Sequence, residues 1–384
     1  MITNTIKNFC LKFSISIIVL FWILFFLLHL YLYGIVITFE AAKYIKEAER
    51  LSNHQTLSAS RFWFYSITIF IITISLKLKI GFTGAVIIQS ILNLLTILFF
   101  HRSLKLIFPK SSLFPLIIVG ITIAFSPYSS WNVFLYTESV FYSSILFLTS
   151  TIIRHNYTKK KSILFLIIFA LFLTILSRPL GVLFIPAVLF YFYGSIAKKA
   201  RLIIIPAGII GLCILVCATN IIFTTTTDAT ITLSAKEGCV VCGVLPATNI
   251  KLNLLTAGSP LHQLYYYVSH NFSHFITLGF ARLNAFFLMT RSYYSARHNI
   301  FLLAFIIPLY ILSAISFMIK KESHYKPVFY FMVVSIIIFA IVIMLQCDDY
   351  HNRFILGLFP FLLILSGKTT SWLISEKIKQ FYLS

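Results

Sequence analysis

Residues 13–33 read FSISIIVLFWILFFLLHLYLY, and residues 39–50 read FEAAKYIKEAER. The first stretch is an uninterrupted apolar run that is long enough, as a helix, to cross the hydrocarbon core of a bilayer. The second stretch contains the first acidic residues of a chain in which Asp and Glu together number only 10. These stretches predict an uncleaved membrane-spanning helix that leads into a charged, amphipathic segment.

The composition extends this pattern to the whole chain. Of 384 residues, 59% are hydrophobic and 11% are charged, whereas a soluble domain carries about 25% charged residues. The apolar runs are too long and too continuous for the alternating strands of a membrane barrel. We therefore predict an all-α polytopic membrane protein. The formal net charge of +21 comes mainly from short basic clusters between apolar runs, which indicates cytoplasmic anchoring rather than nucleic-acid binding.

The positions of these runs predict the topology. They lie near residues 13–33, 82–100, 113–126, 131–153, 162–177, 180–194, 202–223, 300–319, 327–346 and 354–374. Two weaker stretches, 62–76 and 272–290, are treated as interfacial or re-entrant, because counting 62–76 as a span would move the later basic loops to the external side. With a cytoplasmic N-terminus, the basic loops then predict about ten spanning helices. The first external loop covers residues 35–81, and a long external loop covers residues 224–299.

This topology brings ionisable residues from four separate connections to the external face. They are Glu40, Glu138, Arg178, Asp348, Asp349, His351 and Arg353. Ionisable groups near or within membrane segments are costly, so they usually mark a functional site. Their convergence is the main functional signal in the sequence.

Glu40 begins a predicted amphipathic helix on the membrane surface. One face of this helix holds Ala41, Tyr44, Ile45, Ala48 and Leu51, and the other faces hold Lys43, Lys46, Glu47 and Arg50. A carboxylate in the first helical turn is favoured by the helix dipole, so Glu40 has both a structural and a catalytic interpretation.

Glu138 and Arg178 also have two interpretations each. Glu138 follows Tyr136 and Thr137 and enters the apolar run at 131–153, where it either serves the site or pairs with an arginine of a neighbouring helix. Arg178 lies in a predicted tight turn, SRPLG at residues 177–181. Its guanidinium can hold a phosphate in a bidentate manner, or it can pair with Glu138 or with a lipid phosphate.

Two further segments precede helices from the external side. Residues 347–353 read CDDYHNR, in which His351 and Arg353 can bind a phosphate or a cation. Asp348 and Asp349 are either metal ligands or part of a solvated loop. Residues 291–299 read RSYYSARHN, a basic and aromatic composition that suits an anionic, sugar-bearing ligand.

The cysteine pattern and the absence of nucleotide-binding motifs narrow the chemistry. Cys239 and Cys242 form a CxxC pattern, for which a local disulfide or two unpaired thiols is favoured over a zinc site, because two thiols alone do not complete a tetrahedral site. No Walker loop or dinucleotide fingerprint occurs in the sequence. An enzyme of this kind would therefore use a lipid-linked donor.

The order of these motifs resembles the membrane-embedded GT-C glycosyltransferases. The first-loop acid Glu40, the YTES segment at 136–139, the SRPLG turn and the HNRF segment at 351–354 carry the resemblance. It is strongest to the glycosyltransferase family 39 group, the dolichyl-phosphate-mannose–protein mannosyltransferase-like enzymes. The catalytic residue of that family is usually Asp with a second acid beside it in many members, whereas Phe39 and Ala41 flank Glu40 here.

The resemblance implies an inverting transfer from a polyprenyl-phosphate sugar on the external face of the plasma membrane. Glu40 would be the base that takes the proton from the acceptor hydroxyl. Arg178, His351 and Arg353 would stabilise the leaving phosphate, and Glu138 would orient an arginine or the acceptor. The acceptor can be a lipid, a glycan or a protein.

The segments 62–76 and 272–290 are expected to form a wall beside the lipid chain of the donor. A divalent cation is compatible with the chemistry, but no ligand set in the sequence specifies one. The alternative functions are a lipid-linked saccharide transporter or flippase, which should show inverted repeats, and a surface-polysaccharide polymerase or ligase, which the long loop at 224–299 favours.

Overall fold

The computed structural model describes residues 13–109, 113–195, 238–244, 257–319 and 325–383, with short pieces between them. Within these residues the chain is helical and contains no β-strand, only two isolated bridges, Val36–Phe134 and Val241–Asp348. The prediction of an all-helical chain is therefore confirmed for the described part. Residues 1–12, most of the predicted run at 202–223 and much of 224–250 lie outside the described residues.

The helices follow the apolar runs closely. The first eight are α1 Ser14–Tyr33, α2 Glu40–Ser52, α3 Ser66–Lys77, α4 Gly81–Ile107, α5 Leu113–Ala124, α6 Ser126–Ser129, α7 Glu138–Thr158 and α8 Lys161–Ser177. The others are α9 Phe184–Ser195, α10 Pro260–His270, α11 Phe272–Leu288, α12 Ala296–Met318, α13 Lys326–Leu345, α14 Arg353–Leu356 and α15 Phe359–Leu383. Short 3₁₀ segments occupy Ser60–Tyr65, Ser130–Val133 and Pro179–Leu183.

Four described helices are long and apolar enough to span a membrane. They are α1, α4, α12 and α13, and the pair formed by α5 and Ser126–Val133 would be a fifth span if it is counted as one element. On α1 the side chains of Leu20 and Leu24 are 68% and 60% exposed, which suits a lipid environment rather than water. The chain therefore has the character of a membrane protein, and the expected total of about ten spans stays a prediction.

The two stretches that were treated as non-spanning form short helices. Helix α3 has 12 residues and α11 has 17. At 1.5 Å per residue these helices are roughly 18 Å and 25 Å long, whereas the hydrocarbon core is about 30 Å thick.

The run predicted at 131–153 is not one continuous helix. The segment Ser126–Val133 is bent by 70° relative to α5, and a short extended piece then leads to α7, which begins at Glu138. Pro127 lies in the first turn of α6, where its missing N–H costs nothing. Glu138 therefore lies in the first turn of a helix, where the dipole favours a carboxylate, and not inside an apolar span.

The chain forms two compact units. The first contains residues 1–181, 312–328 and 360–384, and the second contains residues 182–311 and 329–359.

Buried side-chain hydrogen bonds join the helices of the first unit. Asn93 on α4 accepts hydrogen bonds from Trp22 Nε1 at 2.9 Å and from Asn132 Nδ2 at 3.1 Å, and it donates to Ser143 Oγ at 3.0 Å. Ser139 Oγ donates to Asn132 Oδ1 at 2.7 Å. Polar contacts of this kind hold apolar helices together where the lipid removes the hydrophobic driving force. This network fixes the start of α7, which carries Glu138.

A buried guanidinium holds the second unit together. Arg282 on α11 is 1% exposed, and it donates to the carbonyl of Cys239 at 2.9 Å and to the carbonyl of Met344 at 3.2 Å. It thereby connects α11 with the end of α13 and with the loop segment at 238–244.

Candidate functional site

The backbone before Glu40 is strained. Phe39 has φ +55° and ψ −119°, and its side chain is 87% exposed. A bulky residue at positive φ is a genuine conformational outlier, and such outliers concentrate at functional sites. The strain occurs at the residue that directly precedes Glu40 and α2.

Glu40 is accessible and has a cationic neighbour. Its side chain is 34% exposed, and Lys43 Nζ donates to its Oε1 at 3.2 Å. The same ammonium lies 5.0 Å from the centre of the Tyr44 ring. A carboxylate in this position is reachable from solvent and lies beside a positive charge.

The loop before α2 is attached to the segment that precedes Glu138. Val36 N donates to the carbonyl of Val133 at 3.1 Å, and Leu135 N donates to the carbonyl of Val36 at 3.0 Å. These two bonds form the isolated bridge between the residues that precede α2 and the approach to α7. They explain how residues almost one hundred positions apart come to share one region of the first unit.

Glu138 and Arg178 form a buried ion pair. Arg178 Nη1 donates to Glu138 Oε1, and the two side chains are 10% and 0% exposed. Of the two interpretations of Arg178, the ion pair with Glu138 is the one that the structure shows. The arginine that Glu138 was expected to orient is therefore Arg178.

The turn that presents Arg178 requires glycine. Gly181 N donates to the carbonyl of Arg178 at 2.8 Å, and a Cβ on Gly181 would lie 2.1 Å from the carbonyl oxygen of Thr174. No side chain fits at that distance, so the SRPLG turn depends on this position.

Two tyrosines lie in the field of these charges. The rings of Tyr44 and Tyr65 are 5.3 Å apart, with Tyr44 buried and Tyr65 half-buried. Burial raises the pKa of Tyr44 well above its usual value; Tyr65, Glu40 and Glu138 raise it further, while Arg178 lowers it. Burial also raises the pKa of Tyr65, and there Arg178 is the strongest opposing charge. We call Glu40, Lys43, Tyr44, Tyr65, Glu138 and Arg178 the Glu40 cluster.

The sequence analysis missed both tyrosines as site residues. Tyr44 was assigned to the apolar face of α2, and Tyr65 falls within the apolar stretch at 62–76. Helical spacing could have identified Tyr44 as a neighbour of Glu40, because Tyr44 follows Glu40 by four residues and therefore lies on the same helix face.

Glu47 was predicted to lie off the apolar face of the amphipathic helix α2, yet its side chain is buried. Glu47 is 3% exposed and accepts hydrogen bonds from Ser58 N at 2.7 Å and from Ser58 Oγ at 2.5 Å. The carboxylate is buried because it satisfies the loop that follows the helix, a contact that helical periodicity does not predict. This contact fixes the loop that follows α2 against the helix.

An apolar cavity of about 460 Å³ lies in the first unit. Helices α3, α4, α7 and α8 line it, with Ile67, Leu92, Phe99, Val140, Phe169 and Ser177 among the lining residues. Ser177 precedes Arg178 directly, and Val140 lies two residues after Glu138. The cavity lining thus includes close sequence neighbours of both partners of the ion pair, and it includes Ile67 from the predicted 62–76 wall.

The second unit holds a separate set of charges, which we call the Asp348 cluster: Arg291, Asp348, Asp349, His351 and Arg353. Arg291 Nη2 donates to Asp348 Oδ2 at 2.5 Å, and both side chains are almost fully buried. Arg353 Nε donates to Asp349 Oδ1 at 2.6 Å, and His351 N donates to the same oxygen at 3.0 Å. Each carboxylate is thus held by an arginine.

These contacts correct one expectation for residues 348–353. Asp348 and Asp349 do not form a solvated loop, because both are buried and one oxygen of each carboxylate accepts a hydrogen bond from an arginine. Among the described residues, no group of three or more potential metal ligands occurs. The role of Arg353 in phosphate binding stays a prediction, with its Nε bound to Asp349.

Asp348 titrates at an unusual pH. Burial raises its pKa to about 6, although the charge of Arg291 and the hydrogen bond from Asp349 N oppose the shift. Its ionisation therefore depends on pH in a range where an ordinary aspartate is fully charged.

The disulfide is not the local one that the CxxC pattern suggested. Cys242 pairs with Cys347 across 105 residues, whereas Cys239 is a buried thiol. The backbone supports this pairing, since Cys242 N donates to the carbonyl of Asp348 at 2.8 Å and Asp348 N donates to that of Val240 at 2.9 Å.

The seven ionisable residues predicted to converge are therefore divided between two units. Glu40, Glu138 and Arg178 belong to the first unit. The residues of CDDYHNR belong to the second unit.

Comparison with known proteins found no match to this chain among family models, curated protein sequences or solved structures.

Proposed function

We propose that the protein is a membrane glycosyltransferase of the GT-C type, with about ten spanning helices as the positive-inside rule predicts. It moves a sugar from a polyprenyl-phosphate donor to a lipid, glycan or protein acceptor with inversion at the anomeric carbon. The reaction takes place on the external face of the plasma membrane.

One arrangement carries the proposal: an accessible carboxylate, Glu40, lies in the same cluster as a buried ion pair, and close sequence neighbours of both ion-pair partners line an apolar cavity. A polyprenyl-phosphate sugar needs these three environments. Its lipid chain needs an apolar groove, its phosphate needs a cation, and the acceptor hydroxyl needs a base.

Glu40 is the proposed base. It takes the proton of the acceptor hydroxyl as the oxygen attacks the anomeric carbon, and the bond from that carbon to the phosphate oxygen breaks. A base in this position typically contributes 10²–10⁴-fold to the rate. Phosphate is a good leaving group, so the second carboxylate of a glycosidase is not required.

Arg178 is the proposed contact for the leaving phosphate, and Glu138 is its positioning residue. A guanidinium has five N–H donors in a fixed plane, and the carboxylate of Glu138 fixes the orientation of that plane. Charge stabilisation of this kind acts most strongly in a buried site. His351 and Arg353 keep their proposed roles as further phosphate contacts.

The disulfide supports the external location. Such bonds persist in oxidising compartments and are rare in the cytosol. The pairing of Cys242 with Cys347 suits a loop outside the plasma membrane. It agrees with the topology in which residues 347–353 precede the last span from outside.

The test uses the purified full chain in liposomes with a panel of radiolabelled polyprenyl-phosphate sugars and lipid, glycan and peptide acceptors. The proposal expects label in an acceptor together with one equivalent of polyprenyl phosphate. Movement of intact donor across the bilayer, without bond cleavage, would instead identify a flippase. Joining of preassembled saccharides would identify a polymerase or ligase.

A further inference from the structure

A second cavity, of about 280 Å³, lies in the second unit. Residues of 238–244 and 285–293 line it, and we call it the Tyr293 cavity. Its volume is close to the lower end of the range for small-molecule sites, about 300 Å³. Its lining combines backbone at Gly238, the hydroxyl residues Thr290 and Ser292, and the ring of Tyr293.

Both walls of this cavity are fixed before any ligand binds. The 238–244 wall is held by the disulfide from Cys242 to Cys347 and by the backbone bonds to Asp348. The other wall is held by Arg291, which donates to Asp348 Oδ2 and, at 2.8 Å, to the carbonyl of Ala285. Asp348 is therefore the common attachment point of the two walls. A pre-formed site does not have to order its walls at the expense of binding free energy.

The Tyr293 ring is held in one orientation. It stacks on Tyr350 with ring centres 4.1 Å apart and planes 7° from parallel, and its hydroxyl donates to the carbonyl of Tyr350. Because one ring face is covered by Tyr350, the cavity meets the edge or the other face. An aromatic ring held beside hydroxyl groups suits a ligand with both C–H surfaces and hydroxyls, which is the chemistry of a pyranose.

The charge around the cavity favours a neutral ligand. Arg291 is the charged residue of the cavity lining, and Asp348 neutralises it in a buried ion pair. The composition of residues 291–299 predicts an anionic, sugar-bearing ligand, and that prediction also draws on Arg297 and His298. Among the described residues of the cavity lining, Arg291 is the cation, and Asp348 pairs with it.

We propose that the Tyr293 cavity binds a neutral hexose unit of the acceptor, so that the acceptor is a glycan. That the bound hexose belongs to an acceptor rests on the proposed function. The binding of the sugar itself does not depend on catalysis, so it can be tested without a donor.

The test is saturation-transfer difference NMR on the full chain in nanodiscs, with methyl α-glucoside, methyl α-mannoside and methyl β-galactoside as probes. At least one glycoside should bind, and Tyr293→Ala should weaken it by about tenfold or more, equivalent to about 1.4 kcal/mol. Tyr293→Phe, which keeps the ring, should bind within about threefold of wild type. Tyr265→Ala removes a tyrosine that is 71% exposed in the same unit and should leave binding unchanged.

Three outcomes would overturn the inference: no glycoside bound by wild type, equal binding by Tyr293→Ala, or stronger binding of glucuronate than of the neutral glycosides. Equal melting temperatures of Tyr293→Ala and Tyr265→Ala establish that a loss of binding is local. Glycoside binding without any sugar transfer would refute the proposed function and leave the sugar site standing. Transfer that is indifferent to Tyr293→Ala would refute the sugar site alone.

Discussion

Arg178→Met should destabilise the protein strongly, because it leaves the Glu138 carboxylate buried without its cation. The Glu138 side chain is 0% exposed and that of Arg178 is 10% exposed, so water screens the pair very little. Removing one partner of such a pair costs about 3–5 kcal/mol. Each kcal/mol of lost stability lowers the melting temperature of a domain of this size by about 2–4 °C, so the melting temperature should fall by roughly 6–20 °C.

The assay is differential scanning fluorimetry in detergent on a double-mutant cycle. The double variant Glu138→Gln with Arg178→Met should recover much of the loss, because no uncompensated charge is then buried. Lys43→Met is the matched control, since it breaks an ion pair whose side chains are 42% and 34% exposed. Exposed pairs contribute about 0–1 kcal/mol, so this variant should melt near wild type.

Two results would refute the reasoning about the buried pair. One is an Arg178→Met variant that melts no lower than Lys43→Met. The other is a double variant whose loss equals the sum of the two single losses, because independent sites are additive and coupled ones are not.

Three further predictions concern other positions. Gly181→Ala should destabilise the protein by about 1–3 kcal/mol through overpacking, since its Cβ would lie 2.1 Å from a carbonyl oxygen. Gly120→Ala has open space around its Cβ and should be neutral or slightly stabilising. Thermal melts of the two variants test the difference. Burial raises the pKa of Asp348 to about 6, so the folded chain binds this proton more tightly than the unfolded chain. Protonation of Asp348 therefore stabilises the folded state at low pH, and this stabilisation is lost as pH rises from about 4 to about 6. The melting temperature of wild type minus that of Asp348→Asn should therefore decrease over this range, and an increase would contradict the assignment. Replacing Cys242 and Cys347 by serine should cost up to about 4.7 kcal/mol for a loop of this length, and peptide mapping that links Cys242 to any other cysteine would show the pairing to be wrong.

The sequence predicted the helices well where apolar runs are continuous. The first run, 13–33, became α1 Ser14–Tyr33, and 327–346 became α13 Lys326–Leu345. It failed at 131–153, because hydropathy does not register the bend at Ser126–Val133 or the extended piece before Glu138. Bends of this kind depend on local turns and on pairing with a distant loop, here through Val36.

The candidate site was predictable in its residues but not in its pairings. The Arg178 and Glu138 pair was one of two interpretations, since both are unusual charges at apolar runs. The partners of Asp348 and Cys242 are 57 and 105 residues distant in the chain. A local sequence pattern does not predict partners that are so distant in the chain. Asp348 therefore resembled a metal ligand, and Cys242 resembled one half of a local CxxC motif.

The most direct test of the central claim is the single-turnover rate of sugar transfer by Glu40→Gln, compared with wild type and with Glu49→Gln. Glu49 is an exposed acid on the same helix, so its variant controls for the loss of one charge on α2. We predict that Glu40→Gln slows transfer by about 10²–10⁴-fold, whereas Glu49→Gln transfers at the wild-type rate. A Glu40→Gln variant that transfers within about threefold of the wild-type rate would contradict the assignment of Glu40, because the loss of a general base slows a reaction much more than that.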